Sequence, residues 1–329
     1  MPADQRPGVP PGQPEQARRP GPGAVQPEPR GTLQRRSAAR TAVVWDALRT
    51  VLDDLDDPGG SGSGSGGGAS GDPGDRAAVV VDVGGGTGGF AVRAAELGHR
   101  VVVVDPSPDA LATLARRAEE SGVADRVTGR QGDLDDLPGL LGLPGAGAGA
   151  GAAEGGERTG VDVVLCHGVL EIVDDPSAAL AALAGVLRPG GTLSLLVNQR
   201  HAAVVARAMA GHFQQARSLL DHPASPEPAG SGEPSRQPGT ARQPSGSTPP
   251  GSTSPRRFTA DEVTAALDAT GFDVSAVHAV RVFVDLVPSS LVDQESGAAQ
   301  ALVELERAVA TRPEYLPLAT QVHVLAIRR

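Results

Sequence analysis

Between Val79 and Phe90 the chain reads VVVDVGGGTGGF, and this segment narrows the fold more than any other. A run of β-branched residues ends in an acid, Asp82. A glycine-dense turn follows, and then a helical stretch. Glycine is required where the backbone must adopt dihedrals closed to other residues and where a ligand must approach the main chain. The spacing Gly84-x-Gly86-x-x-Gly89 also satisfies a dinucleotide-binding fingerprint, which taken alone is a weak discriminator. The unit it predicts is a strand, a tight turn and a helix, repeated along the chain.

The rest of the sequence continues that alternation. Short apolar runs at 77–83, 101–104, 126–131, 161–166 and 192–197 read as strands, with helices at 89–97, 108–121 and 177–187 between them. Near-continuous Val and Leu runs mark strands covered on both faces, as in a parallel sheet. An amphipathic helix over 38–55 precedes the series, with Val43, Val44, Ala47, Leu48 and Val51 on one stripe. After the series, Thr259 with Glu262 forms a capping box for a helix ending near Gly271. Strands over 274–287 and 321–327 follow, with a helix over 298–310 between them. The expected fold is a doubly wound, Rossmann-like α/β domain over 37–329. A disordered tail over 1–36 precedes it, and flexible inserts at about 58–75, 142–160 and 222–255 interrupt it, all of low-complexity Gly, Pro and Ser sequence.

Composition excludes several classes. The chain has 329 residues and a net charge of -10, its 29 basic residues are all arginine, and 2% of it is aromatic. A broad basic nucleic-acid surface is therefore not expected, although a local arginine patch is compatible with these numbers. The single cysteine, Cys166, leaves no intrachain disulfide and no cysteine-rich zinc site. No metal is expected. There is no signal-peptide core and no apolar run of ~20 residues, so the expected compartment is the cytoplasm, with no membrane partner.

Four segments specify the chemistry. VVVVDPS ends the second strand at Asp105, where a carboxylate can accept both hydroxyls of a ribose. GDLDDL places Asp133 near an adenine amine, with the Leu134 backbone facing the ring. LCHGVLEIVDDP follows the fourth strand, and Leu187-Arg188-Pro189-Gly190-Gly191 turns into the fifth. With the glycine turn, these residues in this order resemble the class I methyltransferase superfamily from Arg40 onward. S-adenosylmethionine is the cofactor this implies.

Arg40-Thr-Ala-Val-Val-Trp45-Asp46, His167-Gly-Val-Leu-Glu171 and Val280-Arg281-Val282-Phe283 with Asp285 are similar to the tRNA 5-carboxymethoxyuridine methyltransferase family. So are Leu302, Glu304-Leu305-Glu306, Tyr315 and Val322-His323-Val324. The resemblance implies that Arg40 holds the methionine carboxylate of the cofactor and that Gly84 and Gly85 pass under its amino acid moiety. Asp82 belongs to the same cofactor set, with Gly86. Asp105 takes the ribose, Asp133 and Leu134 the adenine end, and His167 the other flank. Arg281, helped by Asn198, orients the acceptor. Each residue also has a plain structural use. Arg40 can also be a surface arginine, His167 a satisfied strand-end histidine, Asp133 a turn cap, and Arg281 with Asp285 an ion pair. Cys166 reads as a small buried apolar residue.

Two places depart from the family. Its lysine-rich loop is replaced by the insert near 222–255, which retains Arg236, Arg242, Arg256 and Arg257. Its Gly-Arg-Tyr before the last strand reads Ala319-Thr320-Gln321. The expected partner is tRNA. The alternatives are O- or N-methylation of a small-molecule acceptor, and a non-catalytic cofactor-binding module.

Overall fold

A computed structural model describes residues 30–56, 77–142, 160–221, 255–294 and 297–329. The expected tail up to residue 29, nearly all of the three inserts, and Arg236 and Arg242 within the last of them lie outside the described residues.

Seven strands form one sheet in the order β3-β2-β1-β4-β5-β7-β6. They are β1 (Val79–Val83), β2 (Arg100–Asp105), β3 (Val127–Gln131), β4 (Val161–His167), β5 (Leu187–Asn198), β6 (Phe272–Val280) and β7 (Gln321–Arg328). The first five pair in parallel, and β7 runs antiparallel between β5 and β6. The order reverses between β1 and β4. At such a switch point the loops on either side diverge and leave a crevice at the carboxyl ends of the strands. This is a doubly wound, Rossmann-like arrangement.

Alternation along each strand builds the two faces. Val80, Val101, Val103, Val163 and Leu165 face α1 (Arg30–Asp56), α2 (Ala91–Glu96) and α3 (Pro108–Glu120), meeting Leu48, Leu52 and Leu114. Val81, Val83, Val164, Leu193, Leu195 and Val324 face α5 (Pro176–Val186) and α8 (Ala260–Ala269), meeting Leu180, Leu183 and Leu267. Helix starts follow local chemistry: Ser107 caps α3, Asp175 caps α5 through the N–H groups of Ser177 and Ala178, and the Thr259–Glu262 capping box opens α8. Among the described residues no helix is long and apolar enough to cross a membrane.

Several boundaries differ from the sequence expectation. Helix α1 begins at Arg30 rather than Ala38. Residues 30–36 carry good helix formers and no proline after Pro29, so composition alone misassigned them to the tail. Strand β5 begins at Leu187, with an irregularity between Val161 and Val163 of its partner β4 absorbing the Arg188–Gly191 stretch expected to be a turn. Strand β6 stops at Val280 instead of reaching residue 287, because Arg281 takes a φ of 61° and turns the chain out of the sheet. Helices α4 (Leu137–Leu140), α6 (Arg200–Met209), α7 (Phe213–Asp221) and α9 (Ser289–Gln294) were not anticipated. Helix α10 covers Ala298–Val309 as read.

Candidate functional site

The glycine turn sits at the carboxyl end of β1, and its geometry explains the glycines. Gly84 has φ 66°, and a Cβ there would lie 2.5 Å from a methyl of Val169, in the loop after β4. A Cβ at Gly85 would fall 2.5 Å from the Asp82 carboxylate. Gly86, at φ 55°, has space: its nearest neighbour would be Asp105 Oδ2 at 3.9 Å. The turn is thus packed against Val169 at Gly84 and against the Asp82 carboxylate at Gly85, while Gly86 stays open. That is a cradle suited to a ligand pressed onto the main chain.

The two acids differ. Asp105 is ordered by the backbone, accepting N–H bonds from Gly86 at Oδ2 and Ser107 at Oδ1, both 2.9 Å. Asp82 is buried, and desolvation together with the nearby charge of Asp105 pushes its carboxyl up to about 7. The Cys166 thiol beneath is pushed up to about 12, first by burial and then by Asp82. A cation placed beside Asp82 would relieve this strain.

Other expected residues occupy the same edge of the sheet. Asp133 is exposed just beyond β3, where its Oδ1 accepts the Asp135 N–H at 3.0 Å, and Leu134 beside it is buried. The Asp133 carboxylate therefore does cap a turn. His167 ends β4 with its ring edge-on to Phe90, the centroids 4.9 Å apart. Burial holds its imidazole down at about 4, so it is neutral near pH 7, and its Nδ1 is buried without a hydrogen-bond partner.

Past the switch point a second group forms. Arg281 donates from Nε to Asp285 Oδ2 at 2.7 Å, and Arg40 reaches Asp285 Oδ1 from Nε at 3.2 Å and Nη2 at 3.1 Å. One carboxylate thus gathers two arginines from opposite ends of the sequence, with Arg40 44% and Arg281 25% exposed. The turn that presents them is clamped by Glu306 of α10. This fully buried carboxylate accepts N–H bonds from Val282 at 3.0 Å, Phe283 at 2.8 Å and Val284 at 2.7 Å. Asn198, at the end of β5, gives its amide N–H to Glu171 Oε2 at 2.5 Å and accepts from Gln321 Nε2 at 3.3 Å. Both ends of its side chain have protein partners. Burial raises the Glu171 carboxyl.

A cavity of about 340 Å³ opens next to Asp285, between α6 and the turn after β6. Ala203, Met209 and Phe283 supply its apolar wall, and Arg207, Arg257 and Thr320 its polar groups. Nothing in the sequence marked α6 as a wall, because its small apolar side shows no partner until the chain folds. The structure brings Gly84 to Gly86, Asp82, Asp105, Asp133, Leu134 and His167 to the carboxyl ends of β1 to β4. It brings Arg40, Arg281 and Asn198 to the continuation of that edge over β5, β7 and β6. The donor set fits a cofactor carrying a sulfonium, an ammonium and a ribose: a glycine cradle, two carboxylates and an unpaired buried imidazole nitrogen.

Comparison with known proteins follows the same outline. Residues 81–193 match the family described as "Methyltransferase domain". Over 287 residues, 87% of this chain and 87% of the relative, the sequence is 27% identical to tRNA 5-carboxymethoxyuridine methyltransferase of Escherichia coli (strain K12). It is 34% identical over 140 residues to the ubiquinone biosynthesis O-methyltransferase of Xanthomonas axonopodis pv. citri (strain 306), a match that spans 43% of this chain and 51% of the relative. A solved S-adenosylmethionine-dependent methyltransferase from Mesorhizobium loti superposes with a TM-score of 0.47 at 18% identity, covering 88% of this chain and 100% of that one.

Proposed function

We propose that this S-adenosylmethionine-dependent methyltransferase esterifies the carboxylate of a 5-carboxymethoxyuridine at the wobble position of tRNA, in the cytoplasm. The observation that carries this reading is the extent of the similarity. The match to the tRNA enzyme spans 87% of both chains, whereas the match to the small-molecule O-methyltransferase spans less than half of this one. Arginines at the cavity, Arg207 and Arg257, supply local positive charge within an acidic chain.

In this reading Gly84, Gly85 and Gly86 cradle the cofactor. Asp82 faces its positive charge, and Asp105 its ribose. Asp133 and Leu134 lie at the adenine end, His167 on the other flank, and Arg40 at the methionine carboxylate. The cofactor supplies an electrophilic methyl group on sulfur with a neutral leaving group. A carboxylate acceptor is already ionised at neutral pH, so the residues around it need no general base. Their task is alignment, which can supply ~7–11 kcal/mol of the barrier. Arg281 orients the acceptor, and Asp285 tempers its charge so that the carboxylate remains nucleophilic. Asn198 contributes from behind, bracing the end of β5 through Glu171. The neutral His167 ring adds no positive charge next to the sulfonium.

The test uses full-length protein, the methyl donor and tRNA bearing unmethylated carboxymethoxyuridine, followed by nucleoside mass spectrometry. Methylation of the wobble nucleoside is expected. Arg281→Ala should cut turnover by roughly tenfold or more, the loss of one charge-assisted contact, with cofactor affinity nearly unchanged. Unmodified tRNA alongside transfer to a small acceptor would overturn the tRNA assignment.

A further inference from the structure

Four neighbouring strands carry polar side chains on the face beneath α1: His167 on β4, Ser194 on β5, His323 on β7 and His278 on β6. They form an unbroken line. His167 Nε2 lies 2.9 Å from Ser194 Oγ, Ser194 Oγ lies 2.8 Å from His323 Nε2, and His323 Nδ1 lies 3.2 Å from His278 Nδ1. The last two rings are within 21° of parallel. Ser194 and His323 are wholly buried. One end of the line is the His167 Nδ1 atom that lacks a partner. The other end, His278, lines a groove of about 440 Å³ beside α1.

Counting protons decides which way the line is polarised. Burial lowers the pKa of all three imidazoles, so each carries one N–H near neutral pH. With the serine hydroxyl, four protons serve the three links. The surplus proton sits at one end, on His167 Nδ1 or on His278 Nε2, or else on a Ser194 hydroxyl that accepts from both histidines and turns its own O–H off the line, where this wholly buried group has no other partner and the cost is high. At His167 it would be a buried N–H with no acceptor, which is costly. At His278 it faces the groove, where Asp54 is the one carboxylate among the lining residues and the residue is partly exposed. His278 therefore keeps the surplus proton. His323 donates from Nδ1 to His278, Ser194 donates to His323 Nε2, and His167 donates from Nε2 to Ser194.

We propose that Ser194, His323 and His278 are positioning residues that lock His167 in its Nε2–H tautomer, so that its bare Nδ1 meets an N–H or O–H donor of the bound cofactor as a hydrogen-bond acceptor. The inference rests on the placement of the cofactor against His167 given under the proposed function. It assigns a role to two strands, β6 and β7, that do not touch the glycine cradle.

The test combines histidine ¹⁵N NMR of the full chain with calorimetry using S-adenosylmethionine, in wild type, His278→Ala, His278→Asn and His167→Gln. Asn carries a polar atom where histidine carries Nδ1, so it can accept from His323 in place of the ring. In wild type, His167 should show a protonated Nε2 and a bare Nδ1. His278→Ala should convert that signal to a mixture of tautomers and weaken cofactor binding by roughly tenfold. His278→Asn should restore both, although residue 278 lies three strands away. A wild-type proton on His167 Nδ1, an unchanged His167 signal in His278→Ala, or equal loss in the Ala and Asn variants would overturn the proposal. So would a moved tautomer with unchanged affinity, provided that His167→Gln weakens binding. If His167→Gln leaves affinity intact, the placement of the cofactor against His167 fails first.

Discussion

A carboxylate buried beside another carboxylate holds its proton until a cation arrives, and Asp82 is in that position. Its folded pKa, about 7, lies above the ordinary 3.8. Between those values the native protein keeps a proton that the unfolded chain releases. This contribution to stability is therefore fully present below about pH 4 and is lost as pH rises through 7. A bound sulfonium favours the ionised form, so cofactor binding at about pH 6 should expel roughly one proton. Calorimetry in buffers of different ionisation heat measures this directly. The release should fade by about pH 8.5 and vanish in Asp82→Asn, and a pH-independent release in that variant would refute the assignment. The residues legible from sequence were those whose backbone left no alternative. Gly84, with its positive φ and its contact with Val169, is one of them, as is Asp105 at a strand end.

The turn after β6 depends on another element to hold its shape. Three successive N–H groups, from Val282 to Val284, leave the sheet unpaired and converge on Glu306 of α10. Glu306→Gln keeps the volume but turns an amide N–H against one of those donors. It should lower unfolding stability by about 1–3 kcal/mol. Glu306→Ala strands all three donors and should cost more, ~3 kcal/mol or above, in denaturant titration. Both variants should slacken Arg281 and Asp285 and slow methyl transfer. This turn could not be read from the sequence. Residues 281 to 287 look like strand, and the group that ends the strand lies more than twenty positions further on. The capping box at Thr259 was legible for the opposite reason, since both partners lie within four residues.

At the scale of the molecule, α1 acts as a strap. Asp46 pairs with Arg307 at 2.6 Å and Arg40 with Asp285, while Trp45 lies under Arg93, 3.8 Å from its guanidinium carbon. The helix thereby joins the glycine side of the edge to the acceptor side. Alternating βα sequence revealed the parallel half of the sheet. It could not reveal which strands lie side by side in the other half, and so the line from His167 to His278 was invisible. Each of its members looks like an isolated polar residue in an apolar run until the register of β5, β7 and β6 is known.

The position of β7 sets the order in which the protein can be completed during synthesis. This strand, Gln321–Arg328, lies between β5 and β6. On a ribosome, β6 emerges with no strand to pair with until the chain through residue 328 is free. Removing Gln321–Arg328 would take out a central plank rather than trim a border. Such a truncated product should be recovered as a substrate for proteases and chaperones, not as a slow enzyme.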